Sequence, residues 1–143
     1  MSRSAEISEL QRDALFAAAR AVRQNAHAPY SGFAVGAAVL DERGRIHAGC
    51  NVENAAYPQG WCAETSAIAA LIADGGKRVR AVAVCGVAGG ADAPVTPCGG
   101  CRQKLREFAA DDCPVWAVDL SAVRGQFTLG ELLPHGFGPD HLK

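Results

Sequence analysis

The chain has 143 residues, enough for one hydrophobic core and no obvious second one. Its 49% hydrophobic and 20% charged residues exclude a disordered chain, and a net charge of -1 offers no basic face for gripping a phosphate backbone. No apolar stretch is long enough to span a bilayer, and the polar segment Met1–Gln11 does not read as a secretion signal. A cytoplasmic, reducing setting is therefore expected for the six cysteines, as free, metal-bound or catalytic thiols.

Ser8-Glu9-Leu10-Gln11 is a capping box. With Leu10, Ala14, Ala17, Ala18 and Ala21 at helical spacing, it predicts a helix from Ser8 to Ala26, stopped by Pro29. Ala34–Leu40 and Arg45–Asn51, joined by the turn sequence Asp41-Glu42-Arg43-Gly44, predict an antiparallel hairpin. Glu53–Trp61 reads as loop. Cys62–Ala73, ending at Asp74-Gly75-Gly76, predicts a helix with a glycine stop, apolar nearly all round and therefore buried. Val79–Val87 predicts a strand covered on both faces.

After a loop at Gly89–Pro97, a helix is expected from Cys98 to Ala109 and a strand from Pro114 to Leu120. A short fifth strand at Gln126–Leu129 and a helical turn at Leu129–Leu133 follow, with an irregular tail from His135. Helix, hairpin, then strand–helix–strand–helix–strand describes a layered α/β sandwich with a mixed sheet in a single domain, residues 1–143. Right-handed crossovers bring the starts of the two central helices to one end of the sheet.

Cysteines sit at those starts. Cys98 and Cys101, in Pro97-Cys98-Gly99-Gly100-Cys101, share one side of a first helical turn, and Cys62 opens the other helix. Helix N-termini favour thiolates. Three such ligands make a zinc site with an open fourth position, the mark of a catalytic zinc. Glu64, two residues from Cys62, is placed beside the metal and suited to moving protons. Taken singly, each piece has an ordinary reading: a redox Cys-x-x-Cys pair, a buried thiol, a first-turn acid. Cys50 and Cys85 read as core, Cys113 as a free thiol in a connection, and the four histidines as surface or structural.

At these residues the sequence resembles the small, three-cysteine cytidine deaminases acting on free nucleosides. The likeness spans nearly the whole chain: Pro29-Tyr30-Ser31-Gly32-Phe33, Asn51-Val52-Glu53-Asn54, Cys62-Ala63-Glu64, Pro97 to Gln103, Leu132-Leu133-Pro134 and Phe137-Gly138-Pro139. The resemblance implies a three-layer α/β/α sandwich around a mixed five-stranded sheet, one zinc ion per subunit, and a homotetramer with shared active sites. It also implies hydrolysis of cytidine or 2′-deoxycytidine to the uridine product and ammonia in pyrimidine salvage. Glu64 would carry protons to the ring and the leaving amine. Asn51 and Glu53 would bind the ribose hydroxyls, Phe33 would flank the pyrimidine, and the backbone N–H of Ala63 would meet the base. Phe137 would enter a neighbouring subunit's site.

Three rivals stand beside this reading. One is a deaminase of a modified cytidine or aminated nucleoside antibiotic. Another is a polynucleotide deaminase, which the charge and the 6% aromatic content disfavour. The third is a non-enzymatic zinc-stabilised domain, which would need a fourth ligand from Cys50, Cys85 or Cys113. The chain also departs from the resemblance: Thr65 follows Glu64 where Arg is common in the family. Either the Thr65 hydroxyl donates to a thiolate or it bonds back to a helix carbonyl. Arg102 is a second source of positive charge near the sulfurs.

Overall fold

The computed structural model describes residues 6–89 and 93–143. The first five residues, and residues 90–92 of the expected Gly89–Pro97 loop, lie outside the described residues. In chain order the elements are helix α1 (Glu9–Arg23), strands β1 (Gly36–Asp41) and β2 (Ile46–Cys50), helix α2 (Ala63–Ala73) and strand β3 (Val79–Cys85). Helix α3 (Gly99–Phe108), strands β4 (Pro114–Val118) and β5 (Val123–Thr128), and the single turn α4 (Leu129–Leu132) follow. Short 3₁₀ turns occupy Tyr57–Gln59 and Pro139–His141.

The five strands form one sheet in the order β2-β1-β3-β4-β5. Only β3 and β4 run parallel; the other three pairings are antiparallel. Side chains alternate across the sheet. Ala38, Leu40, Ala81, Ala83, Cys85, Trp116 and Val118 face α1, and Ala37, Val39, Val82, Val84 and Val115 face α2 and α3. The result is a three-layer α/β/α sandwich. Because β1 sits between β2 and β3 under helices on both sides, all six of its residues are buried.

The Ser8 capping box forms as its sequence demands: Ser8 Oγ accepts from the Gln11 N–H at 3.0 Å, and Gln11 Oε1 accepts from the Ser8 N–H at 3.1 Å. The buried face of α1 is not the expected alanine stripe. Leu15, Phe16 and Ala19 pack on the sheet, Phe16 edge-on to Trp116 at 5.5 Å, while Leu10 is 83% exposed. Alanines carry too little apolar area to choose a face, and the two bulky neighbours choose it. The fifth strand begins at Val123, earlier than expected. Ladder bonds to β4 define it, because as a half-exposed edge strand it has no strong apolar alternation. Cys113 is fully buried rather than merely lodged in a connection, and burial pushes its thiol up to about 12.

Two features set the position of α2. Gly49 on β2 lets the helix lie directly on the strand, since a Cβ there would come within 2.4 Å of the Ala67 nitrogen. At the other end, Asp41 is completely buried in the hairpin. Its Oδ1 accepts from the backbone N–H groups of Arg43 and Arg45, and its Oδ2 meets the Arg43 guanidinium and His47 Nε2, each at 2.8 Å. Arg43 continues to the Asp74 carbonyl and carboxylate at 3.0 Å, so the C-terminus of α2 is tied to the hairpin turn.

Burial acts to raise the Asp41 carboxyl. His47, the Arg45 and Arg43 amides and the Arg43 guanidinium outweigh it and hold the group well below the usual carboxylate range. A depressed carboxyl contributes stability above its unfolded value, near pH 4, and loses it as pH falls toward the folded value. Asp41→Asn is therefore expected to cost about 3 kcal/mol at pH 7, as removing one partner of a buried ion pair does. It should also flatten the decline in stability below about pH 4. Urea unfolding of both proteins across pH 3–7, a range of about four units chosen to bracket carboxylate titration, checks both effects.

Candidate active site

Both central helices begin at the same end of the sheet, and each begins on a cysteine. Cys62 is the N-cap of α2 and Cys98 the N-cap of α3, both in extended backbone, and neither sulfur is spent on capping its helix. Cys101 lies in the first turn of α3 and is fully buried, whereas Cys62 is half-buried and Cys98 exposed. The three Sγ atoms lie within 4.8 Å of one another, with Cys62 and Cys98 at 3.7 Å. Zinc–sulfur bonds of 2.3 Å in a tetrahedron put neighbouring sulfurs about 3.8 Å apart, so the spacing fits the metal.

The charges point the same way. Burial pushes the Cys62 and Cys101 thiols up, helped by their negative neighbours. For Cys98 burial also acts upward, but the Cys101 N–H and the adjacent thiols bring it below its ordinary value. A divalent cation reverses the burial penalty by deprotonating coordinating thiols outright. No fourth ligand joins the group among the described residues. Cys85 faces α1 across the sheet, Cys113 precedes β4 at the opposite end, and Cys50 ends β2 outside the cluster. A three-sulfur set with no fourth protein ligand among the described residues opposes the structural-zinc rival.

Beside the sulfurs is a cavity of about 430 Å³, of ordinary size for a small ligand. Cys62, Cys98, Ala63 and Glu64 form its floor, and Phe33, Asn51 and Glu53 lie on its wall. Glu64 is only 4% exposed. Burial raises its carboxyl above the usual range; its own backbone N–H, the Cys101 thiol and the Lys104 charge act in the opposite direction. Ala63 is the first residue of α2, so its N–H has no partner within the helix.

The wall residues are already engaged. Asn51 Nδ2 donates to the Phe33 carbonyl and Asn51 Oδ1 accepts from the Val35 N–H, both at 2.9 Å, which leaves one amide hydrogen. Glu53 Oε1 accepts from the N–H groups of Tyr30 and Ser31 at 3.0 and 3.1 Å, and Ser31 Oγ donates to its other oxygen. The Ser31 hydroxyl is the main reason the Glu53 carboxyl sits below its ordinary value. Both residues thus shape the segment that presents Phe33, itself 41% exposed.

Thr65 Oγ1 lies 3.8 Å from Cys101 Sγ, facing a sulfur on the neighbouring helix rather than Cys62 on its own. Arg102 donates to three oxygens, and no sulfur is among its hydrogen-bond partners. Phe137 is not on the wall of its own chain's cavity; it is 55% exposed and stacks on His141 at 5.0 Å. The residue pattern did not single out Trp61, Val84, Val95 or Thr96, which also line the cavity. Loop and strand residues of those types carry no spacing signal.

The sequence profile of the cytidine and deoxycytidylate deaminase zinc-binding region matches residues 10–117. The chain is 40% identical over 128 residues to a cytidine deaminase of Sporosarcina psychrophila, covering 90% of this chain and 92% of that one. It is 44% identical over 117 residues to one from Mycobacterium tuberculosis, covering 82% of each. A crystal structure of a cytidine deaminase from Burkholderia pseudomallei superposes with a TM-score of 0.80 at 39% identity, covering 87% of this chain and 98% of that chain.

Metal analysis of the purified protein is expected to find about one zinc per chain, the count of a single three-cysteine site. Cys101→Ser should abolish retention of the metal through dialysis. Full zinc content in that variant would remove Cys101 from the ligand set.

Proposed function

The chain belongs to the cytidine deaminase family, zinc enzymes that hydrolyse cytidine to uridine and ammonia, and from that premise we propose which of its residues perform the reaction. The observation that carries the assignment is a buried acid, Glu64, sharing one cavity with Cys62 and Cys98 of a three-sulfur cluster. Cys62, Cys98 and Cys101 would hold the zinc ion, which would supply a Lewis acid able to make water acidic enough to ionise near neutral pH.

Everything else falls to the protein. The Glu64 carboxylate takes a proton from the attacking water and delivers it to N3 of the pyrimidine as the oxygen adds to C4. It then carries the second proton from that oxygen to the exocyclic nitrogen, the C4–N4 bond breaks, and ammonia departs. Burial suits Glu64 to both directions, because a carboxyl raised from its ordinary value is a better base when ionised and holds the proton long enough to pass it on.

The Ala63 N–H, unpaired within its helix, is assigned to the base, and Phe33 to the face of the ring. The remaining Asn51 amide hydrogen and the ionised Glu53 carboxylate are assigned to the ribose hydroxyls. Among the described residues lining this cavity none is Lys or Arg, which suits a neutral nucleoside rather than its phosphate. No helix among the described residues is long and apolar enough to cross a membrane. The cytoplasm, where thiols stay reduced, is the compartment assigned here.

We extend the reading to the assembly. Phe137 is half-exposed and away from its own cavity, and Tyr57, Trp61 and Ile72 leave further apolar surface uncovered at 74%, 49% and 44% exposure. A homotetramer in which Phe137 enters a neighbour's cavity would use them.

Glu64→Gln is expected to keep zinc and fold while losing activity by roughly 10²–10⁴-fold, the worth of general acid–base catalysis. The ultraviolet change on cytidine deamination, read beside metal content, checks it; activity within about tenfold of the parent defeats the assignment. Free cytosine should be a far poorer substrate than cytidine, because it leaves the polar groups of Asn51 and Glu53 unmatched. Sedimentation is expected to show a tetramer, and a fully active monomer would end the proposed role of Phe137.

A further inference from the structure

Arg102 follows Cys101 directly, and its half-buried guanidinium is completely directed at oxygen. Nε donates to the Pro97 carbonyl at 2.6 Å, one terminal nitrogen to the Leu132 carbonyl at 2.8 Å, and the other to Thr96 Oγ1 at 2.9 Å. These three acceptors belong to two separate parts of the chain. Thr96 and Pro97 end the connection after β3 and lead into Cys98; Thr96 lines the cavity and Pro97 is fully buried. Leu132 ends α4, where a helix leaves its last carbonyls without intrahelical partners.

The stretch from Gly86 to Pro97 has no helix or strand among its described residues. Its described residues therefore form no continuous ladder, and proline brings no N–H of its own. The next residue, Gln103, donates from Nε2 to the Phe137 carbonyl at 2.8 Å. Two consecutive residues of α3 thus hold the two ends of the segment 132–137, while one of them also holds the approach to Cys98.

We propose that Arg102 is a positioning residue for the deamination. It clamps Thr96 and Pro97 so that the cavity wall and the Cys98 limb keep one geometry, and it ties that geometry to the C-terminal segment. The inference rests on the cavity being the deamination site proposed above. The clamp needs a planar fork. Lysine keeps the charge, but its single ammonium cannot reach three divergent oxygens in this arrangement, and each buried acceptor left unmatched carries a desolvation cost.

The test compares Arg102→Lys and Arg102→Gln with the parent. Both variants are expected to raise KM for cytidine and to speed zinc transfer to a chromogenic chelator by about 10–100-fold, the usual consequence of losing a residue that orients a metal ligand. With zinc in excess, kcat should fall less than KM rises. Arg102→Lys with parental KM and parental zinc transfer would show that charge alone suffices and would overturn the clamp. Reduced kcat at unchanged KM and zinc transfer, with a lowered melting temperature, would reduce Arg102 to a stabilising role and overturn it equally.

Should both variants fail to fold, Thr96→Val removes one limb without emptying space. It is expected to raise KM with zinc transfer unchanged, and an unchanged KM rejects the clamp. If the parent protein binds zinc but leaves cytidine intact, the proposed function fails, while the zinc-transfer comparison still decides whether Arg102 holds the Cys98 limb.

Discussion

Three thiolates brought together repel one another, and this fold must still hold three sulfurs within 4.8 Å. The means is the single parallel pairing in an otherwise antiparallel sheet. Strands β3 and β4 run the same way, which requires a crossover helix and puts the start of α3 beside that of α2. Two helix N-termini, whose dipoles favour negative charge, then lie beside the sulfurs, and a cation bound there would relieve the cost of burying Cys101.

Glu64 belongs to the same constraint. It is the second residue of α2, so the helix that delivers Cys62 also buries an acid beside the cluster. That burial raises the carboxyl, and Lys104 on α3 is the charge acting against it. A site built from two helix starts therefore depends on how each helix is seated. The hairpin seats α2: Gly49 permits close approach along β2, and Asp41 with Arg43 ties down Asp74 at its far end. For α3, side chains from its own first turn fasten the surrounding backbone.

The cavity wall follows a related principle. Asn51 and Glu53 each make two hydrogen bonds to the backbone between Tyr30 and Val35. A residue fixed in this way presents its remaining donor or acceptor in one direction, so less is lost in ordering when a ligand binds. The exposed aromatic pair Tyr30 and Tyr57, with ring centroids 5.7 Å apart, borders a neighbouring cavity of about 330 Å³ that shares Glu53 with this wall.

The sequence by itself determined where each element begins around the site. Capping at Ser8, the turn at Asp41–Gly44, glycines after α2 and Pro97 before α3 are local signals, and local chain geometry enforces them. It also determined that three cysteines and an acid stand at two helix starts, because position in a first turn depends only on spacing. Only the tertiary structure decided which face of α1 is buried, since its alanines weigh little against Leu15 and Phe16. The extent of β5 was likewise settled by its ladder to β4, and the depth of Cys113 by packing that its own segment does not encode. The partners of Asn51, Glu53 and Arg102 are decided in the same way. Their bonds reach residues up to 30 positions distant, and a polar side chain gives no sign in sequence of which distant backbone oxygen or N–H it will meet.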